Sequence, residues 1–451
     1  NETIIVINGF FIIIIDFMEN DIFKNMLKIS GSTTITQIMG ILVLPILSRV
    51  YSPENFGVYA LFFSISNILL IIATWQYDVA IVIPKKYEDS LSLFFLSILL
   101  LSFMSLGFFL IMIFFNTFIL NLFRLNDLSR ILFLIPVHIF ISGFYQSLRY
   151  LNSRNNAFGN TAKSSIINSG ITYFSQIILG ILFLDGSGLV YGSIFGSLLA
   201  TIFLLFVSVK FISIKSVNFT GIRKVMYGYK KFPTVTTLGN FLSGVGGQLP
   251  VLLLSSFFGT VYSGFYSIAN KAINIPSRII AGSISEVSYK HTSDIINDNK
   301  LLSTYFEKST AAIFQISILP FLIIFLFGRI LVTFFLGNDW AVAGLYIQIL
   351  SPLIFLQFLN SPIGIFLQKN RNDILLGWQV MYLIFSAIGL ISGYVYGGPT
   401  VSIINFSLLL SICYIISIYL NFRLVNASFK NMIFNIKKKF YLKKFLNTGD
   451  I

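Results

Sequence analysis

Charge is what this chain has least of. Asp, Glu, Lys and Arg together make up 11% of its 451 residues, against about 25% in a soluble domain. With 56% of the residues hydrophobic, a water-facing surface cannot be assembled from that supply, so the chain belongs in a bilayer. Cysteine is nearly absent too. The single Cys413 lies in an apolar run, which excludes a disulfide scaffold and leaves thiol chemistry unsupported. The two histidines, His138 and His291, stand far apart, so the Cys/His spacing of a zinc, iron or copper site is missing and no metal cofactor is expected. Acids are outnumbered, 17 against 31 basic residues, for a net charge of +14. In a membrane chain such an excess records orientation rather than affinity for nucleic acid, so no nucleic-acid partner is expected.

Long apolar runs are abundant. A membrane-spanning helix needs about 20 mostly apolar residues, and that ruler predicts twelve spans near 29–50, 57–82, 91–118, 131–149, 163–184, 188–209, 233–257, 261–287, 309–336, 342–367, 374–396 and 400–421. With the stretch before the first span placed in the cytoplasm, 25 of the 31 basic residues fall on the cytoplasmic side, and Arg49, Arg124 and Arg130 are left outside. That asymmetry predicts both termini inside. The expected organisation is a cytoplasmic segment over 1–28, a six-helix lobe over 29–209, a basic connector over 210–232, a second lobe over 233–421 and a basic tail over 422–451. Residues 1–17 carry an apolar run too short to span, with no basic residue before it, and Met18 reads like an ordinary start. An upstream extension and an interfacial helix both fit that stretch.

The halves repeat. Thr33-Thr34-Ile35-Thr36-Gln37 followed by Leu44-Pro45 returns as Thr236-Thr237-Leu238-Gly239-Asn240 followed by Leu249-Pro250. Phe56-Gly57-Val58-Tyr59-Ala60-Leu61 returns as Ser263-Gly264-Phe265-Tyr266-Ser267-Ile268. The offsets of 203 to 207 residues equal six helices. Six is even, so the lobes share one orientation and are expected to relate by a pseudo-twofold along the membrane normal.

Polar residues at membrane depth are costly and mark cavities or partners. Lys271, Asn274, Arg278, Gly282 and Ser285 recur at helical spacing on one face of the eighth span. A cationic stripe lining a hydrated lumen explains them; ion pairing elsewhere, or snorkelling of Lys271 and Arg278, is the alternative. Thr33, Gln37 and Gly40 share a face of the first span, and Thr237, Asn240, Gly244 and Gln248 a face of the seventh. These line the same lumen or bond neighbouring helices. Asp78 is the candidate for a coupling H+ or Na+, with pairing to Lys85, Lys86 or Arg149 as the other reading. Arg49 anchors an outer helix end or meets substrate at an outer mouth. The Lys437-Lys438-Lys439 and Lys443-Lys444 clusters fit topology signals or contacts to anionic membrane lipid.

Four stretches, taken together, resemble one family. Arg49-Val50-Tyr51-Ser52-Pro53-Glu54-Asn55-Phe56-Gly57-Val58-Tyr59-Ala60, then Tyr77-Asp78-Val79-Ala80-Ile81-Val82-Ile83-Pro84-Lys85, then Lys231-Phe232-Pro233, then Gly337-Asn338-Asp339-Trp340-Ala341-Val342-Ala343-Gly344-Leu345-Tyr346 with Leu350-Ser351-Pro352, are similar in order and spacing to the O-antigen and capsule repeat-unit flippases. Those form the polysaccharide-export branch of the multidrug/oligosaccharidyl-lipid/polysaccharide superfamily. The resemblance implies an all-α polytopic protein with two pseudo-symmetric six-helix lobes forming a V around a central cavity. It implies residence in the bacterial cytoplasmic membrane and outward movement of an undecaprenyl-pyrophosphate-linked oligosaccharide, with a polymerase and chain-length regulator as candidate partners. It carries no substrate residue over by name. On spacing alone, Lys271 and Arg278 would meet phosphate, and Gln37, Asn240, Asn274 and Gln248 would meet sugar. Two further readings stay open. A glycan polymerase or ligase would need paired acid/base groups outside, where Glu54, Asp127, Asp185 and Asp339 stand singly. A cationic-drug exporter would want acids in its lumen.

Overall fold

A computed structural model describes residues 21–123, 129–183, 186–213, 217–274, 299–360 and 372–437. Helices make up nearly all of it, since lipid offers backbone N–H and C=O groups no partner and a helix pairs them within itself. The first half holds α1 (Asp21–Val50), α2 (Pro53–Ala73), α3 (Tyr77–Ala80), α4 (Tyr87–Phe123), α5 (Ser129–Leu132), α6 (Leu134–Arg154), α7 (Phe158–Phe183) and α8 (Ser187–Ser208). After α9 (Phe219–Gly228) the second half holds α10 (Thr237–Phe258), α11 (260–274), α12 (Asn299–Leu336), α13 (Ala341–Asn360), α14 (Asn372–Tyr396), α15 (Pro399–Leu424) and α16 (Phe429–Lys437). Among the described residues ten segments are long and apolar enough to cross a membrane. Of the two other expected spans, the one near 131–149 is the 21-residue α6, made more polar by His138, Gln146, Arg149 and Asn152. The one near 261–287 is described only over α11.

Several boundaries differ from expectation for local reasons. The second span ends at Ala73 rather than running to 82, because Trp75 and Gln76 take left-handed backbone (φ 48° and 56°) that no α-helix accommodates. The chain restarts as α3, which carries Asp78 outside the span. The connector is built rather than loose: α9 packs on α4, where Lys224 Nζ meets Asp89 Oδ1 at 3.0 Å. A π-helical turn over Phe232–Thr236 then leads into α10. The tail likewise continues as α16, which lies on α12. Glu307 Oε1 accepts from Ser428 N at 2.6 Å, and Phe422 stacks on Phe429 at 4.0 Å. Residues 438–451, 1–20 and the stretch holding Arg278, Gly282 and Ser285 lie outside the described residues.

The start of α2 shows why the chain turns sharply after α1. Ser52 in extended backbone accepts from Asn55 N, Pro53 takes the first helical position where no N–H is needed, and Glu54 meets the positive helix end. The turn brings Gly57 of α2 against α11. A methyl group at Gly57 would meet the Thr260 carbonyl, and one at Gly264 would meet the Pro53 carbonyl. These contacts exchange under the 207-residue offset of the sequence repeat, since 57 + 207 = 264 and 53 + 207 = 260. The crossing is therefore a pseudo-symmetric contact between the repeats.

Candidate functional site

Between the two halves lies a cavity of about 510 Å³. Side chains of α2, α10, α11, α13, α14 and α15 enclose it. Amides supply much of its polarity: Asn67, Gln248, Asn270, Asn274 and Gln357 all reach the wall. On α11, Asn274 Nδ2 donates to Asn270 Oδ1 at 2.7 Å and to the Asn270 carbonyl at 2.9 Å, so the helical spacing becomes an amide ladder. Gln248 Oε1 accepts from Ser64 Oγ at 2.8 Å across the interface between the halves. Tyr59, Tyr266, Tyr382 and Tyr414 add aromatic faces bearing hydroxyls.

Among the described residues Lys271 is the one charged residue in this wall, and no acid lines it. Among the described residues its ammonium has no carboxylate partner; it sits 5.8 Å from the ring centroid of Tyr173 on α7. A cation fixed in a low-dielectric site without a counter-ion attracts an anion strongly. The cavity can therefore hold an anionic group at one point and neutral hydroxyl-bearing groups elsewhere.

One end of the cavity is closed where the turn between α1 and α2 meets the turn between α12 and α13. Gly337, at φ 104°, lets the chain fold the fully buried Trp340 inward. The Trp340 indole N–H donates to the Ser48 carbonyl at 3.0 Å, and Ser48 Oγ donates to the Leu336 carbonyl at 3.1 Å. Phe56 packs edge-on to Trp340 at 5.2 Å. With the Gly57–Gly264 crossing, these contacts bind one half to the other.

The expected site residues divide accordingly. Lys271, Asn274 and Gln248 meet in the cavity. Asn240 does not: its amide donates to Gln76 Oε1 at 2.9 Å, beyond the cavity. Gln37 is absent from the cavity wall, because the face of α1 next to it packs on α7, with Gly40 against Tyr173. Arg49 is bound into the closure, its Nη1 donating to the Pro45 carbonyl at 2.6 Å and the Phe335 carbonyl at 3.2 Å. Arg278 lies outside the described residues. Asp78 is buried and accepts from Gln146 Nε2 at 2.9 Å. Among the described residues it pairs with no Lys or Arg, so the alternative of a bond to Lys85, Lys86 or Arg149 is not what the structure contains. Burial pushes its carboxyl above the ordinary carboxylate range. Asn67, Asn270 and Gln357 were not anticipated. Each is a polar residue in an apolar helix, and Asn270 also stands four residues before Asn274.

A family model described as polysaccharide biosynthesis protein matches residues 46–345. A Klebsiella pneumoniae protein described as an uncharacterized membrane protein in the cps region is 23% identical over 340 residues, covering 74% of this chain and 68% of that one. Among solved structures, the lipid II flippase MurJ in an inward closed conformation superposes with a TM-score of 0.72 at 17% identity, over 94% of this chain and 93% of that one. A multidrug resistance MATE family transporter in its inward-facing conformation gives 0.64 at 14%, covering 89% and 98%. A MOP superfamily transporter from Pyrococcus furiosus gives 0.57 at 12%, covering 90% and 97%. The shared fold is two lobes of membrane helices.

Proposed function

Because the chain belongs to the polysaccharide biosynthesis protein family, we propose that it is a flippase. It carries an undecaprenyl-diphosphate-linked oligosaccharide, of the O-antigen or capsule type, from the inner to the outer leaflet of the bacterial cytoplasmic membrane. The observation that carries this reading is the cavity wall: among the described residues it has one cation, Lys271, set among amides and tyrosines with no acid. The fold alone does not choose a cargo, since lipid II flippase and multidrug transporter structures share it. The cavity's chemistry favours an anionic one. A cationic drug would meet Lys271 as a repelling charge, whereas a diphosphate oxygen gains a charge-assisted hydrogen bond there.

In this mechanism the diphosphate rests on Lys271. Asn274, Asn270 and Gln248 exchange hydrogen bonds with sugar hydroxyls, and the lipid tail stays in hydrocarbon. The polar head group never faces the bilayer core, where its transfer would be prohibitive. The closure around Trp340 is the outer gate, shut in this conformation, and both chain termini lie in the cytoplasm. Asp78 serves as a proton carrier, its buried carboxyl exchanging a proton as the lobes move. A polymerase with its chain-length regulator receives the product outside.

Lys271→Ala is expected to insert normally and to abolish or sharply reduce surface polysaccharide in cells that depend on this chain. Surface polysaccharide at the wild-type level in that variant would overturn the reading.

A further inference from the structure

The first half holds a second recess that the mechanism above leaves idle. It measures about 330 Å³ and lies between α2, α6, α7 and α8. Asn168, Ser169, Thr172 and Ser197 line it beside the ring of Tyr173. Among the described residues no acid lines it, and its one charge is Lys271. Lys271, Tyr59, Phe63 and Asn67 belong to both walls, so the two spaces adjoin along these side chains. The wall is prearranged. Gln176 Nε2 donates to Ser193 Oγ at 3.0 Å, Ser193 Oγ stands 3.2 Å from the Tyr59 hydroxyl, and Thr172 Oγ1 donates to Asn168 Oδ1 at 3.2 Å.

The wall discriminates between ligand classes. An apolar occupant would leave unmet the donors and acceptors that these bonds do not use. A metal cation would want carboxylates, and the described lining offers none, with His138 as a lone nitrogen ligand. Groups that both donate and accept, set beside aromatic faces, suit a ligand that is itself an array of hydroxyls with apolar C–H faces. We propose that this recess is a neutral-sugar subsite. With the diphosphate on Lys271, the glycan runs from that junction into the N-terminal lobe, where the α7–α8 wall selects which sugars beyond the first are accepted. The inference rests on the transport reading above and adds the direction in which the glycan lies.

Single cysteines in a Cys413→Ser background test it. Ser197→Cys reports on the recess and Gln357→Cys on the central cavity. N-ethylmaleimide labelling is followed in membranes from three strains, which make the complete lipid-linked glycan, a lipid diphosphate stopped at its first sugar, or no lipid-linked sugar. Ser197→Cys is expected to label several-fold more slowly with the complete glycan alone, while Gln357→Cys is protected by both glycolipids. Protection of Gln357→Cys with equal labelling of Ser197→Cys in all three strains would overturn the subsite and leave the transport reading standing. Absence of protection at both positions would overturn the transport reading, and the subsite with it.

Discussion

At the scale of single residues, Lys271 and Asp78 are opposite solutions to burying a charge. Lys271 faces a cavity and keeps its ammonium available, so its worth depends on a ligand. A hydrogen bond to a charged group contributes about 1.5–3 kcal/mol, and losing it in Lys271→Ala is expected to weaken glycolipid binding by about 10- to 150-fold. Lys271→Arg keeps the charge and offers a planar fork to phosphate oxygens, so it is expected to retain most export; binding measured on the purified variants distinguishes the two. Asp78 faces protein, accepts one hydrogen bond from Gln146 and has no cation beside it among the described residues. Its raised pKa in the folded state means that the native protein favours the protonated form. The stabilisation this gives is fully present below the unfolded carboxylate value of about 3.9 and is lost as pH rises through the raised folded value. Asp78→Asn should therefore flatten the pH dependence of thermal unfolding from about pH 4 upward. An unchanged slope would show that Asp78 is not the group responsible.

At the scale of elements, the crossing of α2 and α11 is the contact most sensitive to a small change. A methyl group at either glycine would strike a backbone carbonyl, Thr260 in one case and Pro53 in the other, and carbonyls on packed helices have little room to yield. Overpacking of this kind costs about 1–3 kcal/mol. Gly57→Ala and Gly264→Ala are each expected to loosen the closure around Trp340, which the proposed orientation puts outside, raising the rate at which an impermeant maleimide reaches Gln357→Cys from that side. Trp340→Phe removes one hydrogen bond to the Ser48 carbonyl, worth about 0.5–1.5 kcal/mol, and should act in the same direction more weakly. Equal accessibility in all three variants would mean that the closure is held elsewhere. These elements also show what the sequence could convey. The repeat was legible because Gly57 and Gly264 stand in matching strings, but equivalence does not reveal contact, and their mutual packing was not. Lys271 and Asn274 were legible because charge at helical spacing is costly in lipid. For Asn240 the sequence left lumen lining and helix bonding both open, because a polar stripe marks a face without naming its neighbour, here Gln76. Asn67 and Gln357 lacked a periodic partner and passed for isolated polar residues. The end of α2 at Ala73 depended on the left-handed backbone of Trp75 and Gln76, residue types that rarely adopt it.

At the scale of the whole molecule, the balance of charge between cargo and cavity bears on the energy source. A diphosphate diester carries about two negative charges, and each charge moved through 100 mV is worth about 2.3 kcal/mol. Leaving a negative interior is then downhill by several kcal/mol for whatever fraction of the field the charges cross unaccompanied. The described cavity wall supplies a single counter-charge, Lys271, and no acid. A loaded cavity is therefore net negative and the empty one net positive, so the potential favours the loaded carrier moving outward and the empty carrier turning inward. Both halves of the cycle draw on the same field, and proton exchange at Asp78 becomes a modulator of rate rather than an obligatory partner. In vesicles, dissipating the membrane potential while the ion gradients are held is expected to slow transport more than collapsing the proton or sodium gradient at fixed potential. Asp78→Asn should slow transport without abolishing it. The reverse ranking of the two dissipations, together with a dead Asp78→Asn variant, would establish compulsory ion exchange and remove the potential from the role argued here.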